Sequence, residues 1–286
     1  QVKIAIITDS TCDWPVEDYA ARDVTMVPLR ICFGAQSFLD QREIASEEFY
    51  DRMIEASDLP STSQPSPGDF AREFERLAAE GYEGALCMHI ARPLSGTQQS
   101  VEIAAQNAPI PVKVVDSCVT TAALGLMVDA ACDLRDEGVD DLEELSERVE
   151  AFGRKIRIFL LPETLENLVR GGRLPAEAAE QMGLLNIRLI LTLAQDGSVV
   201  PFDKAKGLKG AVARCVDAIA AYEKEHGAVS VRYVHTRNEA AVEKLADALR
   251  DAGVTVAKSH VHACGATIAT HLGMGAACVA VAPVQA

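Results

Sequence analysis

Nothing in this 286-residue chain approaches the roughly 20 consecutive apolar residues that a membrane-spanning helix requires. The longest apolar runs, such as Phe159-Leu160-Leu161 and Ala276 to Pro283, stop far short of that. CxxC pairs, HExxH and tight Cys/His clusters are also missing, which removes the usual signatures of zinc and dithiol redox sites, so no metal is expected. Neither GxGxxG nor GxxxxGK[ST] occurs, and the fragments Lys206-Gly207 and Gly171-Gly172 do not substitute for them. NAD and mononucleotide cofactors are therefore not expected. Basic charge is scarce: 27 Lys and Arg stand against 42 Asp and Glu, a formal net charge of −15. That balance argues against nonspecific attachment to nucleic acid or to an anionic membrane surface, both of which need clustered cations. No basic segment leading into an apolar stretch opens the chain, which predicts a cytoplasmic protein. The eight cysteines are scattered among apolar neighbours and read as reduced core thiols.

What is present is an ordinary globular balance, 49% hydrophobic and 24% charged, over a length that exceeds what one core usually serves. Two domains are expected: an N-terminal parallel-sheet α/β domain over 1–155 and a C-terminal α+β domain over 156–286. Lys3 to Thr8 (KIAIIT) reads as a strand buried on both faces, followed by the polar loop Asp9-Ser10-Thr11 and a helix near Pro15. Val24 to Phe33 reads as a second strand region, Ser46 to Ala56 as an amphipathic helix and Ser61 to Ser66 as a polar loop. Ser66-Pro67-Gly68-Asp69 supplies an N-cap, a first-turn proline and an acid three positions after the cap. Phe70, Phe74, Leu77 and Ala78 give that helix its apolar face, and Gly81 ends it. Strands over 84–89 and 112–115, with helices over 98–106 and 122–137, continue the alternation and predict a parallel sheet covered by helices. Such sheets hold ligands at the carboxyl ends of their strands, where Asp9, the loop before Ser95 and Asp116-Ser117 all fall. Past Ile156 come short helices around Leu165 and Glu177, then a hairpin about Gln195-Asp196-Gly197. A helix over 208–226, strand 229–235, helix 239–251 and strands 254–260 and 276–281 complete the second half.

Several polar segments could carry chemistry. Thr8-Asp9-Ser10-Thr11-Cys12-Asp13 can either cap a helix or bind an anion, and both readings stay open because its carboxylates would repel an anion. In Leu94-Ser95-Gly96-Thr97 a serine beside glycine at a helix N-terminus offers a hydroxyl and unhindered N–H groups to an oxyanion. It is not a nucleophile elbow, since the first glycine of G-x-S-x-G is missing. His271 precedes Gly273 and Gly275, which allow close backbone approach before the last strand. Against the acidic background, cations concentrate at Arg154, Lys155, Arg157, Arg170 and Arg173, and again at Lys204, Lys206 and Lys209.

Taken in order, Thr8-Asp9-Ser10-Thr11 with Asp13, Thr62-Ser63-Gln64-Pro65-Ser66, Leu94-Ser95-Gly96-Thr97 with Gln99-Ser100, Asp116-Ser117, Gly171-Gly172-Arg173, Lys204 to Gly207, and His271 with Gly273 and Gly275 resemble the DegV family of fatty-acid-binding proteins over essentially the whole chain. The resemblance implies a two-domain protein that buries a long-chain fatty acid, its carboxylate at the domain interface, and performs no chemistry itself. It further implies a separate ATP-dependent kinase that converts the presented carboxylate into an acyl phosphate. Thr62, Ser95 and His271 match the family's carboxylate or phosphate contacts, with Gly96 and Thr97 beside them, and Lys206 stands where the family commonly has an arginine. Arg170, Arg173, Lys204 and Lys209 are then expected to form a cationic surface near the head group that docks the kinase or its nucleotide phosphates. This chain departs from the family pattern at Arg92, at Arg188-Leu189 and at Met274 between the two glycines. Two other functions fit the same residues: a hydrolase or acyl or phosphoryl transferase using Ser95 with His271 as base, and a binding protein for another small anion.

Overall fold

Alternate residues of the first strand belong to different cores, and that alternation sets the layering of the chain. The computed structural model describes every residue except 181 and 183–185. Its first part runs β1 (Ile4–Asp9), α1 (Val16–Ala21), β2 (Val24–Val27), β3 (Arg30–Phe33), β4 (Gln36–Leu39), α2 (Ser46–Glu55), β5 (Ser61–Ser63) and α3 (Pro67–Ala79). β6 (Gly84–Met88), α4 (Thr97–Ala105), β7 (Val112–Val115), α5 (Thr121–Asp136) and α6 (Leu142–Gly153) follow. The second part runs β8 (Arg157–Leu161), α7 (Glu166–Arg170), α8 (Ala176–Glu180), β9 (Ile187–Leu193), β10 (Val199–Lys206) and α9 (Gly207–His226). It ends with β11 (Val229–His235), α10 (Glu239–Asp251), β12 (Val256–Ala263), α11 (Ala266–Leu272) and β13 (Ala277–Pro283).

β1 is buried along its whole length. Ala5 and Ile7 pack on one side with Phe70, Phe74 and Leu77 of α3, while Ile4 and Ile6 face the large central core. This is what a strand covered on both faces requires. β1 is one of the two inner strands of a four-stranded parallel sheet in the order β2-β1-β6-β7. A six-stranded mixed sheet, β10-β9-β8-β13-β11-β12, repeats the pattern. Cys278, Ala280 and Ala282 of β13 enter the same central core as β1, and Ala277, Val279 and Val281 pack outward beneath α9 and α10. Between the two sheets lies α5, whose Ala123, Leu124, Met127 and Ala131 are fully buried. The result is a two-domain mixed α/β protein layered helix, sheet, helix, sheet, helix. Among the described residues no helix is long and apolar enough to cross a membrane.

The structure departs from the sequence expectations in three places near the site. The region Val24 to Phe33 divides at Pro28, which lacks an N–H for a continuous ladder, and its halves join different sheets. The expected polar loop at Ser61 to Ser66 begins as β5, which pairs antiparallel with β3 and completes a small third sheet, β4-β3-β5. The segment before Gly273 is the helix α11, where only a polar residue ahead of glycines was expected.

Candidate functional site

β5 sets one wall of the site. Its pairing of Thr62 with Ile31 fixes the strand, and Thr62 and Ser63, with Gln64 after them, line a cavity between the two sheets. The loop at Leu94, Ser95 and Gly96 forms a second wall, and α11 brings Thr267, Ile268, His271 and Leu272 from the far end of the chain as a third. About 780 Å³ here, the open mouth included, is unfilled by protein atoms. Leu29, Ile90, Ile158, Leu160, Leu193 and Val199 make most of the remaining surface apolar.

The polar groups collect at one end. Thr62 Oγ1 lies 2.8 Å from His271 Nε2, a hydrogen bond across 209 positions of sequence. His271 Nδ1 is buried and has no hydrogen-bond partner. Burial first and the neighbouring Arg173 guanidinium second push the His271 imidazole down to about 4, so the ring is neutral at pH 7. Arg173 itself donates to the carbonyls of Leu94, at 3.1–3.2 Å, and of Gly171, and so ties the Ser95 loop to the segment beside His271. Its burial lowers its own affinity for the proton. Gly171 lies so close that a Cβ there would stand 2.5 Å from His271 Nδ1. Thr62, Arg173 and His271 also line an adjoining cleft with the exposed residues Asp58 and Arg170, so the polar end is the one that faces outward.

The expected site residues separate on inspection. Thr62, Ser95, Gly96 and His271 share the cavity, whereas Thr97 is fully buried behind it and bonds Ser95 Oγ at 2.8 Å through its hydroxyl. Lys206 is exposed and does not line the cavity: Val199 and Lys206 are the two ends of β10, and only Val199 reaches the lining. Of the expected cationic surface, Arg173 is a half-buried part of the cavity wall and Arg170 lies in the adjoining cleft; Lys204 and Lys209 are exposed on β10 and α9, outside that cleft. The loop after β1 resolves as internal support. Asp9 accepts from Thr11 N at 2.8 Å, Ile90 N at 3.0 Å and His89 at 3.0 Å, and none of residues 8–13 lines the cavity.

Two members escaped sequence reasoning. Gln64 sits against Gly96, where a Cβ would meet its amide nitrogen at 2.6 Å; the glycine was noted for its free N–H, but its close approach was not foreseen. Arg173 is expected on a cationic surface near the head group, and the turn after α7 instead folds it inward against the carbonyls of Leu94 and Gly171. The arrangement can hold an anion or a carboxylic acid at its outer end and an apolar chain behind it. Ser95 and His271 are not bonded to each other, and among the described residues no carboxylate orients the imidazole. No group of three or more metal-ligating side chains occurs among the described residues.

A family model described as "Uncharacterised protein, DegV family" matches residues 3–284. A DegV domain-containing protein of Halalkalibacterium halodurans is 34% identical over 276 residues, 96% of each chain. Among solved structures, one described as fatty acid binding of a DegV family protein from Thermus thermophilus superposes with a TM-score of 0.91 at 34% identity, covering 99% of this chain and 100% of that one. Another, DegV from Bacillus subtilis, described as a fatty acid binding protein, gives a TM-score of 0.86 at 27% identity over 99% of each chain.

Proposed function

The chain belongs to the DegV family, and from that premise we propose that it binds a long-chain fatty acid, presents it to a separate ATP-dependent kinase and performs no chemistry itself. The carboxylate is held by the one donor that the bonded Thr62–His271 pair has to spare and by Ser95 with the Gly96 N–H, beside the positive charge of Arg173. The acyl chain fills the apolar remainder. The proposed domain boundary at 155/156 falls between α6 and β8, so the ligand lies between domains.

The observation that carries this reading is the pair Thr62 and His271. Their bond closes the polar end of an otherwise apolar cavity while Nδ1 of the same ring stays buried without a partner. A buried carboxylate needs donors, and the Thr62–His271 pair, Ser95 and the Gly96 N–H gather at that end of the cavity. The tail supplies most of the affinity: at roughly 0.8 kcal/mol per buried methylene, a sixteen-carbon chain gains on the order of 12 kcal/mol before ordering costs. A carrier role is favoured over Ser95–His271 catalysis because Ser95 bonds Thr97 and His271 bonds Thr62, and among the described residues the Thr62–His271 pair has no third group orienting the imidazole.

Organic extraction of the purified protein followed by mass spectrometry tests this. Fatty acid near one equivalent per chain is expected; an empty protein with no affinity for added fatty acid contradicts it. For the kinase, Arg170, Lys204 and Lys209 are the exposed cations proposed to dock it in the cytoplasm. The double variant Arg170→Glu, Lys209→Glu should slow phosphorylation of the bound lipid while lipid affinity holds; an unchanged rate rejects that surface.

A further inference from the structure

α11 is capped by groups that do not belong to it. Gly265, its first flanking residue, has no side chain with which to satisfy the open N–H groups of the first turn. Two carboxylates from the other end of the chain do so instead. Asp13 Oδ1 accepts from Gly265 N at 3.0 Å, and the two oxygens of Asp40 accept from Ala266 N at 3.1 Å, Thr267 N at 3.2 Å and Thr267 Oγ1 at 2.7 Å. Asp13 Oδ2 is held in turn by Thr121 Oγ1 at 2.7 Å. The approach is close enough that a Cβ on Gly265 would stand 2.5 Å from Asp13 Oδ1.

Both carboxylates are essentially sealed from solvent, at 2% and 0% exposure, and their partners here are N–H, hydroxyl and thiol groups. Burying carboxylates without cations is expensive, and a serine or aspartate at position 265 would cap the helix at far less cost. A cap supplied from a distant element does something a local cap cannot: it fixes where the helix sits. Asp40 follows β4 directly, and its N–H donates to Leu29 O at 2.9 Å just before β3. β3 pairs with both β4 and β5, and β5 carries Thr62. The same small sheet therefore grips α11 at two points, Asp40 at its first turn and Thr62 at His271, about 7.5 Å apart along the axis at 1.5 Å per residue.

We propose that Asp13 and Asp40 are positioning residues for His271: they set the depth and rotation of α11 so that the imidazole meets Thr62 at the polar end of the cavity. Where the ligand is concerned, this rests on the fatty-acid reading of the site. Where the ring is concerned, it stands on the unliganded protein.

The test is imidazole NMR of the full chain without ligand, for the native protein and Asp40→Asn, with fatty-acid affinity measured in parallel. In the native protein His271 should titrate at about 4, since burial and Arg173 both disfavour the charged ring. In Asp40→Asn one of the two acceptor oxygens becomes an NH2 group that opposes the N–H groups of the first turn, α11 shifts, the ring gains access to water, and its midpoint should rise by about one pH unit or more toward its solution value. Affinity for palmitate should fall about tenfold, the equivalent of one well-placed hydrogen bond to a charged group. If Asp40→Asn does not fold, Thr267→Val carries the same test, since it removes one hydroxyl bond to Asp40; a smaller upward shift is expected. A folded variant whose His271 midpoint is unchanged overturns the proposal. If the native protein binds no palmitate, the reading of the site fails and the titration still decides the role of Asp40, with Thr121→Val, which removes the hydroxyl that holds Asp13, deciding that of Asp13 in the same way.

Discussion

The two ends of α11 treat buried polar groups in opposite ways. At its start the N–H groups of Gly265, Ala266 and Thr267 each meet a carboxylate oxygen, at a cost in buried charge. At its end one nitrogen of His271 is bonded to Thr62 and the other has no partner. The closed end is structure, and the open end is where the proposed carboxylate would lie. The same contrast separates the two arginines of α7 and the turn that follows it: Arg170 pairs with Glu166 in solvent at 3.4 Å, whereas Arg173 is drawn inward against backbone carbonyls beside the open end.

The contrast can be broken by pH, and this should give the largest effect. His271 is held at about 4 in the folded protein against an ordinary 6.5, so the unfolded chain binds the extra proton first. Stability contributed by the neutral ring is fully present above about pH 6.5 and is lost as pH falls toward 4. The loss is on the order of 3 kcal/mol at about 1.4 kcal/mol per pH unit. Asp13 and Asp40 act with the opposite sign, since burial raises both and protonating them relieves buried charge. The difference between the native protein and His271→Gln in chemical denaturation from pH 7 to pH 4 isolates the histidine. A difference that stays constant over that range would show that the ring is not held neutral by the fold.

The closed end should answer to sterics instead. Gly265→Ala places a methyl 2.5 Å from both Asp13 Oδ1 and Gln41 Nε2, and Asp13 is walled in by its own hydrogen bonds. Overpacking of this kind costs about 2 kcal/mol, measurable as a lowered urea midpoint with unchanged slope. A stability equal to the native value would mean that the contact between Asp13 and α11 is loose.

The sequence was most readable where burial is periodic. KIAIIT, the capping box at Ser66 and the face Phe70, Phe74, Leu77 each state their structure locally, and β1 and α3 lie where those patterns put them. α6 carries a comparable pattern in Leu145, Val149 and Phe152, with Asp141 as its cap, and could have been found by the same reasoning. α11 could not. Its seven residues are short of two turns, six of them are buried, and it shows no polar face to set a period. The caps that define its start lie 252 and 226 positions away. Thr62, Ser95 and His271 were legible as a set only through family resemblance, because no local rule brings residues 209 positions apart together. Lys206 is exposed at the end of β10 away from Val199, and its position in a motif says nothing about which end of the strand reaches the cavity.

The smallest predicted effect bears most directly on the central claim that the open end awaits a carboxyl group. Calorimetric affinities of the native protein and Thr62→Val should be compared for palmitic acid and for its methyl ester, which has the same tail and no ionisable head. Loss of the Thr62 hydroxyl should weaken binding of the acid about tenfold, near 1.4 kcal/mol, and leave the ester within about twofold. Equal losses for acid and ester, or no loss for either, would contradict the account.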